Sequence, residues 1–175
     1  MRALSTARLR IEPMEAEHAP ELYEKFRDPA LYTWILRTPP EDLAKFREGL
    51  AAVEGRASPD GSEAWLNWVG FDRVSGEIIG TAEVSLIHAT SAFHLAYTVF
   101  RPFQRRGYAY ELCAAVVAEM TESFGARKLI VEMDVRNLAS VRLAEKLGAV
   151  LRAFNPKVQM LKGEWSDEFR YEKDL

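Results

Sequence analysis

The segment "RPFQRRGYAYEL", Arg101 to Leu112, brings three arginines and one glycine together between two apolar segments. A strand-like run ends at Phe100, and a helical pattern begins after Gly107. The first N–H groups of a helix have no partner within it and lie at the positive end of its dipole, so they can hold an anion. Glycine lets the backbone approach a phosphate, and arginine pairs with phosphate oxygens. The segment therefore fits a phosphate-binding loop, although a glycine at such a junction is also common in ordinary turns.

The loop does not follow the usual nucleotide-binding patterns. Both G-x-x-x-x-G-K-[ST] and G-x-G-x-x-G are absent from the sequence. A nucleoside triphosphatase and a dinucleotide-dependent dehydrogenase are therefore not expected. The residues from Gln104 to Ala109 instead follow the pattern Q/R-x-x-G-x-G/A.

Three further polar side chains stand at positions that could serve chemistry. Asn137 and Ser140 lie three residues apart at the start of a predicted helix in "RNLASVRLAEKLG", a spacing that is also typical of helix capping. Glu83 alternates with apolar residues in "IGTAEVSLI", a predicted strand. Because an unpaired buried carboxylate is costly, Glu83 is expected to face a cleft or a charged partner.

Strand and helix patterns alternate along the chain and predict the elements that position these residues. The predicted strands are "ARLRIEPM", "EAWLNWVGFD", "EIIGTAEVSLI", "AFHLAYTVF", "KLIVEMDV", "AVLRAFNPKVQM" and "EWSDEFRYEKDL". The predicted helices are "EAEHAPELYEKF", "EDLAKFREGLAAV", the segment after "RPFQRRG", and "LASVRLAEKL". The fold class is therefore α+β (mixed α/β) in one domain.

Composition narrows the class of protein further. The 175 residues carry a net charge of -3, which argues against a broad nucleic-acid-binding surface. No apolar run approaches the ~20 residues needed to cross a bilayer. The single cysteine, Cys113, excludes an internal disulfide framework and fits a reducing compartment. We expect a cytoplasmic protein that binds neither nucleic acid nor membrane, and no metal site is predicted.

The loop and the segments around it resemble the GNAT superfamily of acyl-CoA-dependent N-acetyltransferases. The matching segments, in the order that the family shows, are "IGTAEVSL", "LAYTVFRPFQRRGYAYEL", "KLIVEMDVRNLASVRLAEKLGA" and "GEWSDEFRYEKDL". "ARLRIEPMEAEHA" is similar to the beginning of the branch that contains the ribosomal-protein N-terminal acetyltransferases. The resemblance covers nearly the whole chain and is densest from Ala96 to Gly148.

The resemblance implies a GNAT-like fold, a central and mostly antiparallel sheet of about seven strands flanked by about four helices. It also implies that the strands splay at the cofactor site. Residues 1–175 would form a single acetyltransferase domain. Within it, residues 1–62 would shape the acceptor site, residues 63–148 would bind acetyl-CoA, and residues 149–175 would add the C-terminal strands.

The resemblance also implies roles for individual residues toward coenzyme A. Backbone amides of the loop would wrap the pyrophosphate, while the strand before it would polarise the thioester carbonyl, with the Val99 amide nearest to that carbonyl. Asn137 would contact the pantetheine arm, and Ser140 would donate a proton to the departing thiolate. Many family members use a tyrosine for this donation, but none follows Ser140 in its helix, which leaves Ser140 or water. The implied cofactor-binding residues are Tyr97, Val99, Arg101, Gln104, Arg105, Arg106, Gly107, Tyr108, Ala109, Asn137 and Ser140.

Acetyl transfer also requires a neutral amine. An α-amine has a pKa near ~8 and a lysine near ~10.4, so either needs help in losing a proton at neutral pH. Glu83, directly or through water, is our hypothesis for that help, and an exposed or ion-paired strand carboxylate is the alternative. His88 and His94 belong to the same region and are weaker candidates.

The function that follows is acetyl transfer from acetyl-CoA to a primary amine by direct attack. The acceptor could be a protein N-terminal α-amine or a small amine such as an amino acid, a polyamine or a drug. A non-catalytic acyl-CoA-binding sensor is the alternative from another class. Edge strands of the terminal hairpin could also pair two subunits into a homodimer.

Overall fold

The computed structural model describes residues 1–175. Its strands are β1 (Leu4–Ser5), β2 (Leu9–Pro13), β3 (Glu63–Asp72), β4 (Ile78–Ile87), β5 (Ala92–Val99), β6 (Lys128–Asp134), β7 (Val150–Leu161) and β8 (Glu164–Asp174). Its α-helices are α1 (Ala19–Phe26), α2 (Leu43–Val53), α3 (Tyr108–Phe124) and α4 (Leu138–Lys146). None of the helices is long and apolar enough to span a membrane.

All eight strands form one sheet, in the order β1-β2-β3-β4-β5-β6-β8-β7. Neighbouring strands are antiparallel except for β5 and β6, which are parallel. The predicted α+β class is confirmed. The sequence predicted seven strands because β1 has only two residues, too few to show an alternating pattern.

Helices cover both faces of the sheet. On one face, α3 packs over the central strands, and the indole of Trp68 is fully buried beneath it. On the other face, α1 and α2 lie against the first half of the sheet, where Phe26 of α1 meets Phe100 edge-on. Since Trp65 and Trp68 are three residues apart on β3, they point to opposite faces: Trp68 enters the core and Trp65 lines a cleft.

The parallel pair β5 and β6 separates after a few residues. Only Ala92–His94 pair with Lys128–Ile130, whereas β5 stays paired with β4 as far as Val99. The second half of β5 therefore has one edge without a partner strand, and a wedge-shaped opening forms between β5 and β6. The predicted splaying of the strands is confirmed, and the predicted phosphate loop stands at the wide end of this opening.

Candidate active site

The loop before α3 presents a row of free backbone donors. Gly107 stands at the helix N-cap with φ 83° and ψ 0°, and Arg105 also has a positive φ of 60°. The N–H groups from Arg105 to Ala109 donate no hydrogen bond within the protein. A Cβ built on Gly107 would face a guanidinium nitrogen of Arg8, at 3.4 Å, and no other heavy atom within 4 Å. These are the features of an anion site at a helix N-terminus.

Arg8, in the turn between β1 and β2, holds the outer side of this loop. Its Nη1 donates to the carbonyl oxygen of Arg106 at 2.9 Å, and its Nε donates to Glu111 of α3 at 2.7 Å. Its guanidinium also lies 4.3 Å from the ring centre of Tyr108. Because the Arg106 carbonyl is tied outward, the N–H of Gly107 in the same trans peptide is turned the other way, toward the opening.

A second contact anchors the start of α3 to the end of β3. The hydroxyl of Tyr108 donates to the carboxylate of Asp72 at 2.5 Å. This bond, together with bonds from the backbone of Ser75 and Val74, lowers the pKa of Asp72 to about 2. Neither Arg8 nor Asp72 was predicted from the sequence, since no local pattern relates them to a loop that follows much later in the chain.

The free edge of β5 points its amides into the opening. The N–H of Phe100 bonds to Ile79 of β4, and successive amides of a strand alternate in direction. The N–H groups of Val99 and Tyr97 therefore face away from β4, toward the opening. The side-chain amide of Gln104 donates to the Val99 carbonyl at 2.8 Å and fixes this part of the strand.

A tyrosine hydroxyl and a serine hydroxyl meet across the opening. The hydroxyl of Tyr97 lies 2.8 Å from Oγ of Ser140 in α4, and burial raises the pKa of Tyr97 to about 12. The phenol is therefore protonated at neutral pH and can donate. Asn137 caps α4, since its Oδ1 accepts from the Ser140 N–H at 3.2 Å, so the capping interpretation is confirmed. The sequence indicated a cofactor-binding role only for the backbone of Tyr97. The alternation of side chains along β5 could also have indicated the phenol as a candidate proton donor, because it lies on the face of β5 next to α4.

The opposite face of the sheet holds an open cleft of about 490 Å³. Glu83 lies in it and faces Ala96 of β5 in register. Its carboxylate pairs with Arg37 at 3.5 Å, so Glu83 faces the cleft and also has a charged partner, as the ion-paired alternative predicted. Glu63 of β3 adds another carboxylate and accepts from the Trp65 indole at 2.9 Å. Cations are favoured in a cleft with this charge.

The remaining predicted residues lie around these two regions. Arg101 precedes the loop and pairs with Asp28 at 3.5 Å. Arg105 and Arg106 are exposed and form no ion pair within the protein. His94 lines the cleft, whereas His88 is exposed at the end of β4 and does not. Cys113 is fully buried in α3, and burial raises the pKa of its thiol, so it is not a reactive group.

The parallel strands β5 and β6 thus splay beside a helix N-terminus whose backbone amides have no partner within the protein. Residues 8–150 match the family model described as "Acetyltransferase (GNAT) domain". The chain belongs to this family of acetyltransferases. The predicted enzyme class, an acetyl-CoA-dependent N-acetyltransferase, is confirmed. No curated protein sequence matches the chain.

Solved structures share the fold over almost the full chain. RimL, a ribosomal L7/L12 alpha-N-protein acetyltransferase in complex with coenzyme A, is 16% identical with a TM-score of 0.87, covering 99% of this chain and 98% of that one. The ribosomal-protein-S5-alanine acetyltransferase from Vibrio fischeri is 17% identical with a TM-score of 0.86, covering 98% and 96%. The spermidine N-acetyltransferase from Vibrio cholerae, in complex with CoA and spermine, is 16% identical with a TM-score of 0.82, covering 97% and 96%. The predicted resemblance to the ribosomal-protein branch is confirmed for the fold.

Proposed function

We propose that this protein transfers the acetyl group of acetyl-CoA directly to a primary amine, and that its acceptor is a protein N-terminal α-amine. One observation carries the proposal: the free amides of the loop continue into the free amides of β5, along one edge of the opening. This row of amides matches a thioester cofactor that has a phosphate group at one end and an arm that forms hydrogen bonds. The protein would work in the cytoplasm.

The pyrophosphate of coenzyme A would lie on the amides from Arg105 to Ala109. The exposed guanidinium groups of Arg105 and Arg106 supply charge there, with Arg101 close by in sequence. Gln104 and Tyr108 would hold the loop on the sheet, because the Gln104 side chain bonds to the Val99 carbonyl and the Tyr108 hydroxyl bonds to Asp72. When bound, the cofactor supplies an activated acetyl thioester.

The backbone amides of Val99 and Tyr97 would bind the pantetheine arm and the thioester of the cofactor. Their amides point into the opening, and a fixed N–H donor stabilises the charge that builds on a carbonyl oxygen in the transition state. We assign the Val99 amide as the donor to the thioester carbonyl oxygen. The Tyr97 amide lies deeper in the opening. The free side-chain nitrogen of Asn137 would bond to the pantetheine arm, because only its oxygen is used for capping.

Ser140 would donate the proton that the departing sulfur needs. Its hydroxyl stands at the N-terminus of α4 beside the opening, and the Tyr97 phenol can donate to it in turn. The pair thus supplies a proton where no tyrosine follows Ser140 in its own helix. Catalytic proton transfer of this kind contributes roughly 10²–10⁴-fold in rate.

Glu83 would receive the acceptor amine in the cleft and hold its ammonium group until the proton is lost. The carboxylate faces the cleft opposite Ala96, at the side of the opening that α4 does not cover. The cleft is open rather than enclosed, which suits a peptide N-terminus. A small polyamine is the second candidate, because the carboxylates of Glu63 and Glu83 both face this cleft.

A homodimer would form through the outer edge of the sheet. The edge strand β7 has one side without a partner strand, and apolar side chains of the β7–β8 hairpin are exposed there. They are Phe154, Val158, Met160 and Trp165. Light scattering behind a sizing column would give twice the monomer mass, and a monomer would contradict the dimer.

Acetyl-CoA turnover tests the function directly. Thiol release would be followed with peptides carrying free N-termini, with N-terminally blocked copies of the same peptides, and with spermidine. We expect release with free N-termini and none with blocked ones. Turnover with spermidine but with none of the peptides would show that the acceptor is a polyamine. Binding of acetyl-CoA without turnover on any amine would favour a sensor instead.

A further inference from the structure

His94 stands at the narrow end of the opening, on the cleft face. It is the last residue of β5 that pairs with β6, just before the two strands separate. Its Nδ1 lies 3.1 Å from Glu132, on the part of β6 that follows this point. The other carboxylate oxygen of Glu132 accepts from Arg170 of β8 at 3.0 Å. A histidine, a carboxylate and an arginine thus form a chain across three strands.

The chain fixes which nitrogen of His94 carries the hydrogen. A lone pair on Nδ1 would face the Glu132 carboxylate oxygen at 3.1 Å and be repelled by it, so the hydrogen of the neutral ring is on Nδ1. The lone pair of the neutral ring is then on Nε2. That atom makes no hydrogen bond within the protein, while the side chain lines the same cleft as Glu83. The ring is therefore oriented with a free basic nitrogen beside the acceptor cleft.

We propose that His94 accepts the proton that the acceptor amine loses, with Glu132 as its positioning residue; this inference rests on the proposed acetyl transfer. Ala96, whose small side chain is exposed beside the opening, faces Glu83 across β4 and lies two residues from His94. An amine placed over Ala96 lies between the two. Glu83 then holds the ammonium group, and His94 receives its proton directly or through one water.

The proton transfer is balanced within this site. One N–H bond of the ammonium group breaks, its electron pair stays on the amine nitrogen, and the proton adds to the lone pair of Nε2. The imidazolium that results lies against the Glu132 carboxylate, which stabilises the positive charge. The imidazolium returns to its neutral form by releasing the proton to solvent through the open cleft.

Charged groups stand on the same face of the sheet as His94 on the strands around it. They are Glu63 on β3, Glu83 on β4, Lys128 and Glu132 on β6, Arg170 and Glu172 on β8, and Arg37 from the segment before α2. Lys128 is held by Glu172 at 3.0 Å and Arg37 by Glu83, so these cations are neutralised by partners of their own. Glu132 lies 3.1 Å from Nδ1 of the ring.

The test is the pH dependence of kcat/KM in the full-length protein. His94→Gln should lower kcat about 100-fold and remove the acid limb of the profile, as expected for loss of a general base. Glu132→Ala removes the carboxylate beside Nδ1, so it should lower kcat while the affinity for acetyl-CoA stays unchanged. His88→Gln is the matched control, and it should leave the profile unchanged because His88 lies outside the cleft.

Chemical rescue separates a proton-accepting role from a structural one. His94→Ala should regain activity when imidazole is added, because the cleft is open to solvent, and sodium chloride of equal ionic strength should not restore it. Acetyl-CoA affinity measured by calorimetry should be unchanged in both His94 variants, which shows that they fold. An unchanged acid limb in His94→Gln, or a limb that disappears in Glu83→Gln instead, would overturn the proposal. Absence of turnover in the wild-type protein would overturn the acetyl transfer on which it rests.

Discussion

The hydroxyl of Tyr97 lies 2.8 Å from Oγ of Ser140, across the opening between β5 and β6. One group belongs to a strand that lines the opening and the other to the first turn of α4. The two elements are thereby joined at the depth where a thioester sulfur would stand.

Removing either hydroxyl should slow the chemical step without weakening cofactor binding. Ser140→Ala removes the direct proton donor, and we expect kcat to fall about 100-fold. Tyr97→Phe keeps the buried ring and should cost less, about tenfold, because Ser140 can still donate. Stopped-flow thiol release and calorimetric acetyl-CoA binding would measure the two effects separately. A changed affinity with unchanged kcat would show that the pair binds rather than reacts.

Gly107 should be required for its backbone angle and for the absence of a side chain beside Arg8. An L side chain at φ 83° costs roughly 1–2 kcal/mol, and a valine would also press on the Arg8 guanidinium that ties the loop in place. Gly107→Val should therefore abolish acetyl-CoA binding while the protein stays folded. Gly125→Ala is the control, since Gly125 has a similar φ of 63° at the other end of α3. It should lower stability alone, and loss of binding in the control would refute the loop assignment.

Arg8 should matter for cofactor affinity although it precedes the loop by about a hundred residues. Arg8→Met keeps apolar contact with the Tyr108 ring but removes the bonds to Arg106 and Glu111. The loop would then sample other orientations, and we expect the KM for acetyl-CoA to rise about tenfold with kcat nearly unchanged. Initial-rate kinetics at saturating amine would show this division. A fall in kcat at constant KM would place Arg8 in another role.

The loop and the strand before it could be predicted because their signals are local. Gly107, the apolar run ending at Phe100 and the helix pattern that follows lie within a few residues of each other. The Arg8–Glu111 ion pair joins groups 103 residues apart, so only the assembled sheet brings them together. The orientation of His94 by Glu132 depends in the same way on the parallel pairing of β5 with β6.

Gly80 should be needed to keep β5 in place beside the opening. Gly80 pairs with Gly70 of β3, next to the point where the register of β3 and β4 shifts. A Cβ on Gly80 would lie 2.1 Å from the Thr98 carbonyl oxygen of β5. Gly80→Ala must therefore push the β5 backbone, at a cost of about 1–3 kcal/mol, and should lower kcat. At Gly70 a Cβ would meet only side-chain atoms, at 3.4 Å, so Gly70→Ala is the milder control. Urea unfolding and kcat would be measured for both, and equal effects would contradict the account.

The bond between Tyr108 and Asp72 should make stability depend on pH in the acid range. The folded pKa of Asp72, about 2, lies below its ordinary value of 3.8. A depressed pKa adds stability above the unfolded value, and this stability is lost as the pH falls from about 4 to about 2. Asp72→Asn and Tyr108→Phe should each reduce this loss of stability, measured as the change in the urea midpoint with pH. The double variant should differ little from either single variant. Full additivity would show that the two groups act independently.

The most direct measurement is a crystal structure of the protein with coenzyme A. We expect the pyrophosphate on the amides from Arg105 to Ala109, the arm along Val99 and Tyr97, and the sulfur within hydrogen-bonding reach of Ser140. Coenzyme A bound elsewhere would contradict this placement, for example in the second open groove, of about 500 Å³, which includes Tyr110 and Leu147.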